Sequence, residues 1–215
     1  MNILVIGAAP RSLINFRGDL LKALVVAGHK VTAMAGDAPP EIVEQLTEMG
    51  VTFRPFPVQR NAMNPLGDLK TLLALRKAYR ELKPNIVLAY TIKPVIWGGL
   101  ALRGNRHARF YAMIEGLGFA FQGGSIRRNM LGRIVAFMYK VALSSARKVI
   151  FLNPDNRQTF LDQKIIYESK AAMIDGIGVN FDIYQHTPLP ISAHHNIVFL
   201  TIGRLLGEKG FREYA

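Results

Sequence analysis

The chain contains no cysteine in its 215 residues. That excludes a disulfide framework, a thiolate metal site and a cysteine nucleophile, and it fits a reducing cytosol. Long apolar runs are missing too. No stretch approaches the roughly 18 apolar residues of a membrane-spanning helix, and the longest candidate, Ile134 to Leu143, is interrupted by Lys140. Met1-Asn2 leads directly into Ile3-Leu4-Val5-Ile6 with no basic residue in front, which reads as a buried strand and not as an export signal. Acidic residues are scarce, 15 Asp and Glu against 27 Lys and Arg, for a net charge of +12. Half of the chain is hydrophobic, so this excess charge does not make a disordered polymer. It marks a chain that favours polyanions: phosphorylated small molecules or an anionic membrane face. Nucleic acid is the weakest of these, because the arginines are scattered and no zinc-finger spacing or aromatic single-strand platform is present. His29, His107, His186, His194 and His195 show no metal-ligand spacing with carboxylates, so no metal is expected.

What is present is an alternation of strands and helices. Ile3–Ile6, Val31–Met34, Val51–Phe56, Ile86–Tyr90, Arg109–Ile114, Lys148–Leu152 and Ala171–Ile174 are short apolar runs of the kind buried on both sheet faces. Helical spacing separates them. It runs from Leu13 to Ala27 with Gly28 as a stop, from Pro40 to Gly50, from Pro65 onward and from Val95 to Leu102. It resumes from Ile126 to Leu143 and from Asn153-Pro154 to about Gln163. This order predicts an α/β fold, a Rossmann-like, doubly wound parallel sheet, whose ligands lie beyond the carboxyl ends of the strands. Thr187-Pro188-Leu189-Pro190 reads as a stiff linker. After it, Asn196–Ile202 reads as a new strand, Gly203 as a turn and Glu208 onward as a new helix. The expected division is therefore residues 1–190 as one domain and 191–215 as the truncated start of a second Rossmann-like domain.

The loops after the strands carry the chemistry. Gly7-Ala8-Ala9-Pro10-Arg11-Ser12 is small enough for close backbone approach and opens a helix whose N-terminus attracts an anion. It is not G-x-G-x-x-G, so a dinucleotide site has weak support, and an ordinary tight turn is the competing reading. Lys93, just past the fourth strand, is placed either to hold a phosphate or as a solvated lysine. Glu115, before Gly116, can accept a proton from an attacking hydroxyl, bond a sugar hydroxyl, or pair with a nearby arginine. In the helix from Ile126, the residues Ile126, Met130, Leu131, Ile134, Val135, Phe137, Met138, Val141 and Ala142 are expected to fill one half of the helical wheel. Arg128, Arg133 and Lys140 are expected on the other half. Either this is a core helix with a wet basic face, or an interfacial element engaging anionic lipid. In Gly203-Arg204-Leu205-Leu206-Gly207-Glu208-Lys209-Gly210, two cations beside free backbone N–H groups suit a diphosphate.

That last motif resembles the opening of the donor domain in retaining GT-B glycosyltransferases of family 4. Tyr90-Thr91-Ile92-Lys93-Pro94, Gly98-Gly99, Glu115-Gly116-Leu117-Gly118-Phe119, Phe151 to Arg157 and Gly176 to Asn180 follow in the order of that family's members that build bacterial capsule, O-antigen and lipid-linked oligosaccharides. The resemblance implies a GT-B N-terminal domain that binds the acceptor, and an enzyme that moves a sugar from a nucleotide-diphosphate sugar to a lipid-linked or polysaccharide acceptor. On it, Arg204 and Lys209 bind the donor diphosphate. Gly7, Ala8, Arg11, Thr91, Lys93 and Gly116 line the acceptor side, and Glu115 is the catalytic candidate. The implied partners are the nucleotide-sugar, a polyprenyl-diphosphate-linked acceptor and an anionic membrane touched by Arg128, Arg133 and Lys140. The implied location is the cytoplasmic face of the plasma membrane, with no cofactor and no metal. The family's donor-domain Glu-x7-Glu element is absent, so the 215-residue chain alone is expected to have little transfer activity. The alternatives are a GT-B-fold sugar-nucleotide epimerase and a non-catalytic membrane-docking half of a two-part transferase.

Overall fold

The computed structural model describes residues 1–59, 64–105, 107–117, 121, 126–188, 199–203, 205 and 210–214, without the side chains of Arg127 and Arg128. Two compact units divide between Val179 and Asn180.

The first unit is built on a seven-stranded sheet: β1 (Asn2–Ile6), β2 (Lys30–Ala35), β3 (Thr52–Pro55), β4 (Ile86–Tyr90), β5 (Arg109–Ile114), β6 (Ala146–Phe151) and β7 (Ala171–Met173). Their spatial order is β3-β2-β1-β4-β5-β6-β7. Every pair is parallel, with Ile3 beside both Val31 and Ile86, Tyr90 beside Met113, and Ile114 beside Phe151. This is the doubly wound sheet expected from the sequence. The apolar runs form strands because both faces are covered. Leu4 and Ile6 pack with Met34, Val87 and Ala89 on one face. Ile3 and Val5, displaced by one residue, pack with Val31, Ala33 and Ala35 on the other.

The helices are α1 (Pro10–Asn15), α2 (Gly18–Val26), α3 (Pro40–Glu48), α4 (Pro65–Leu82), α5 (Ile92–Ala101), α6 (Ile126–Ala142) and α7 (Pro154–Asp162). Local chemistry sets their ends. Asn64 and Asn153 accept hydrogen bonds from the backbone N–H of Gly67 (3.2 Å) and Asn156 (2.8 Å), with proline at the first turn of each helix. Gly28 ends α2 at φ 77°, a left-handed turn that glycine adopts without a Cβ clash.

Two expectations are corrected. The single helix expected from Leu13 to Ala27 is two helices, broken at Phe16-Arg17, because the Arg17 side chain is drawn into the interior at that point. The apolar half-wheel of the helix from Ile126 does not all pack inward. Ile126, Met130, Ile134 and Phe137 are exposed, while Tyr139 and Ala142 are buried. Tyr139, an aromatic outside the expected half-wheel, anchors the helix edge-on against Phe160, 5.1 Å between ring centroids.

In the second unit, a short helix, α8 (Phe211–Tyr214), is tied back by the Tyr214 hydroxyl donating to the Phe199 carbonyl at 2.7 Å. Residues 196–198 of the expected strand, and Arg204, Glu208 and Lys209, lie outside the described residues. Phe199 to Ile202 are described and are not in a strand.

Candidate functional site

The sheet order reverses between β1 and β4. One crossover leaves toward β2 and the other toward β5, so their carboxyl ends open a crevice. Side chains from both strands meet there. Gly7, after β1, lies directly against the Tyr90 ring. A Cβ at Gly7 would sit 2.3 Å from the Tyr90 hydroxyl oxygen, which no side chain can occupy. The Gly7 backbone N–H donates to the Met34 carbonyl (2.9 Å), and Gly36 donates to Ala8 (3.3 Å), tying the first loop to β2. Ser12, in α1, bonds through Oγ to the Tyr90 hydroxyl at 2.9 Å and donates to the Ala9 carbonyl at 2.6 Å. Burial pushes the Tyr90 phenol up to about 12, with the Ser12 hydrogen bond and the Arg17 charge pulling it down and Glu115 pushing it up.

Arg17 is the charged residue at the bottom of this arrangement, with only 2% of its side chain exposed. Its guanidinium lies over the Tyr90 ring, 4.5 Å from the centroid. Nη1 donates to the Phe16 carbonyl (2.7 Å), and Nη2 contacts the Met113 sulfur (3.0 Å) and forms an ion pair with Glu115 Oε1. Arg17 Nε has no partner among the described residues. Glu115, at the end of β5, keeps 29% of its side chain exposed. Of the readings open for Glu115, the arginine pair is therefore present, and the carboxylate is still reachable from outside. Gly116 beside it has nothing among the described residues within 4 Å of where a Cβ would stand.

Beyond Tyr90, Thr91 has φ 66° and ψ 158°, a rare conformation for a β-branched residue. Its Oγ1 is shielded from solvent with no partner among the described residues. Lys93, at the start of α5, pairs with Asp68 at 2.7 Å, each with 17% of its side chain exposed. The reading of Lys93 as a solvated lysine is thus corrected. Its charge is largely buried and answered by a carboxylate. Arg11 lies on the outer side of α1, in an exposed 3.5 Å pair with Glu41.

The α6 cations form a separate group. Arg133 and Lys140 line the same groove as Phe137, Phe121 and Gln163, a depression of about 600 Å³. They stay on the other half of the helical wheel, at its border with the exposed apolar residues. At about 100° per residue, positions 133 and 140 fall within about 60° of position 137. Arg128 lies on α6 with its side chain outside the description, and Arg204 and Lys209 lie outside the described residues. No three His, Asp or Glu side chains gather among the described residues to suggest a metal centre. No described helix is long and apolar enough to cross a membrane.

The structure thus joins Gly7, Ala8, Thr91 and Glu115 around two residues that sequence reading missed, Arg17 and Tyr90. Tyr90 carried a findable signal, as the last residue of the strand beside the topological switch. Arg17 carried none, being inside an apparently continuous helical pattern and 98 positions from Glu115.

Residues 15–174 match the family described as the glycosyl transferase 4-like domain. The chain belongs to that family. It is also 25% identical to N,N'-diacetylbacillosaminyl-diphospho-undecaprenol alpha-1,3-N-acetylgalactosaminyltransferase of Campylobacter jejuni. That match covers all of this chain and 59% of the relative, so the chain spans about three fifths of that protein. Among solved structures, a glycosyltransferase from Rickettsia africae superposes with a TM-score of 0.59 and 21% identity, over 87% of this chain and 46% of that one. The UDP-GlcNAc 2-epimerase of Neisseria meningitidis superposes with a TM-score of 0.56 and 12% identity, over 82% and 47%. At these identities the likeness concerns the fold. The family 4 resemblance is borne out by the family match, which includes the strand-end blocks from Tyr90 to Arg157; Gly203–Gly210 lies beyond the matched residues.

Proposed function

We propose that this chain is the acceptor-binding part of a retaining, metal-independent glycosyltransferase. The whole enzyme takes a sugar from a nucleotide-diphosphate sugar and adds it to a saccharide carried on polyprenyl diphosphate. The observation that carries this reading is the polar cluster at the β1–β4 crevice, Ser12, Arg17, Tyr90 and Glu115, in a chain of the glycosyl transferase 4-like family. A reachable carboxylate beside Gly116 suits a sugar hydroxyl, which needs a fixed acceptor and room for the ring. The relative from Campylobacter is named for a lipid-linked acceptor, which supports the same class here.

In this reading residues 191–215 open the donor side, with Arg204 and Lys209 holding the diphosphate. Negative charge grows on that leaving group as the glycosidic bond breaks, and two fixed cations stabilise it in the transition state more than in the bound substrate. The α6 stripe supports a peripheral position at the cytoplasmic membrane face in this reading. Its four exposed apolar side chains, flanked by Arg133 and Lys140, match the composition of a surface that enters anionic lipid.

A second reading, a sugar-nucleotide epimerase, is favoured by the fold shared with the Neisseria protein. Product analysis of the whole enzyme separates the two. Label passing from the nucleotide-sugar into the lipid fraction supports transfer. An epimerised sugar nucleotide formed without any acceptor supports the alternative and ends the transfer reading.

A further inference from the structure

Arg17 touches three separate parts of the crevice at once. It belongs to the break between α1 and α2, stacks on the last residue of β4 and pairs with Glu115 just past β5. Its side chain is almost fully buried, whereas that of Glu115 is 29% exposed. A buried cation under a half-open carboxylate fixes one carboxylate oxygen and leaves the group reachable from the crevice.

We propose that Arg17 is the positioning residue for Glu115, orienting the carboxylate to accept a hydrogen bond from a hydroxyl of the acceptor saccharide. This deepens the acceptor-side reading above and rests on it. Three observations favour positioning over mere filling of space. An interior position of this kind is served as well or better by an apolar side chain, so a buried guanidinium calls for a partner that needs it. The guanidinium is planar, and its contacts come at fixed angles: the Phe16 carbonyl, the Met113 sulfur, the Glu115 oxygen and the face of Tyr90 together leave it one orientation. Tyr90 in turn is held by Ser12 from the first loop, so the orientation of Arg17 is coupled to the loop on the other side of the crevice. Lysine supplies the charge without the fork, the stacking or the fixed angle.

The test uses the 215-residue chain and vesicles containing polyprenyl-diphosphate-linked saccharide, with vesicles of the same lipid lacking the saccharide as reference. Saccharide-dependent binding and thermal melting are measured for wild type, Arg17→Lys, Arg17→Met, Glu115→Gln and the double variant Arg17→Met/Glu115→Gln. Glu115→Gln is expected to weaken saccharide-dependent binding about tenfold, as for loss of one charged hydrogen bond. Arg17→Lys is expected to melt near wild type yet bind as weakly as Glu115→Gln, a split that a purely structural role does not produce. Arg17→Met should lose no further affinity when Glu115→Gln is added, because one interaction has already been removed. If Arg17→Met does not fold, Arg17→Lys carries the test. Wild-type affinity in Arg17→Lys, or losses that multiply in the double variant, overturn the positioning role while leaving the acceptor reading intact. A wild-type chain that ignores the saccharide overturns both.

Discussion

At Gly7, space is the constraint. The residue has no unusual backbone angle, but the Tyr90 hydroxyl occupies the place where a Cβ would go. Gly7→Ala is expected to destabilise the chain by about 1–3 kcal/mol, the usual cost of forcing a methyl into a packed site. Urea denaturation measures it, and an unchanged midpoint would contradict the close approach. The small residues of this loop were legible in the sequence as a place of close backbone approach. What approaches, a tyrosine from a strand some 80 positions later, was not, because a single sequence carries no record of which distant side chains meet. The same holds for the arginine that pairs with Glu115. A partner was foreseeable, but Arg17 sits in a run that reads as uninterrupted helix until its side chain is pulled into the interior.

Among the elements, strands were the most legible, since burial on both faces forces continuous apolar runs with little ambiguity. Helix faces were less so. The paired glycines of α5 show why: a Cβ at Gly99 would lie 2.4 Å from the Ala142 carbonyl oxygen, so α5 approaches the end of α6 through a gap that only glycine leaves. Gly99→Ala should push the two helices apart and lower the melting temperature, again at about 1–3 kcal/mol; a melting temperature equal to wild type would show that the contact yields freely. Along α6 the apolar residues exceed what the core accepts, and Ile134 and Phe137 remain outside. Ile134→Ser with Phe137→Ser should leave folding stability within about 0.5 kcal/mol, as for exposed sites generally. Binding to anionic vesicles should drop by at least about tenfold, given the burial each side chain would lose. Vesicle flotation reads this directly, and undiminished binding would remove α6 as the docking surface. Periodicity alone did not show which apolar residues of α6 reach the core, because the buried edge of the helix is set by Tyr139, whose packing depends on Phe160 and not on local spacing.

At the scale of the molecule, three buried tyrosines give a pH dependence. Tyr90 is raised to about 12, and Tyr79 and Tyr139 are raised further by burial. All three stay neutral in the folded chain while the unfolded chain ionises near pH 10. Above that pH the unfolded state binds fewer protons, so stability is full below pH 10 and falls as pH rises toward 12. Tyr90 alone accounts for a loss on the order of 3 kcal/mol. Melting curves from pH 8 to 11.5 should show this fall; a melting temperature that stays level across that range would contradict the burial. The doubly wound sheet as a whole was legible from the alternation of runs, because it is a sum over many residues. The crevice cluster is a sum over few residues, drawn from α1, the break between α1 and α2, β4 and the end of β5, and only the fold assembles it.

The central claim is that this chain recognises the saccharide acceptor and not chiefly the nucleotide-sugar. The most direct test is calorimetric titration of the 215-residue chain with two ligands: a water-soluble, short-prenyl diphosphate-linked saccharide and a nucleotide-diphosphate sugar. The account predicts that the saccharide ligand binds at least about tenfold more tightly than the same prenyl diphosphate without its sugar, a difference of about 1.4 kcal/mol, with the nucleotide-sugar weaker still. Tight binding of the nucleotide-sugar, with no discrimination between the prenyl diphosphate with and without its saccharide, would contradict it.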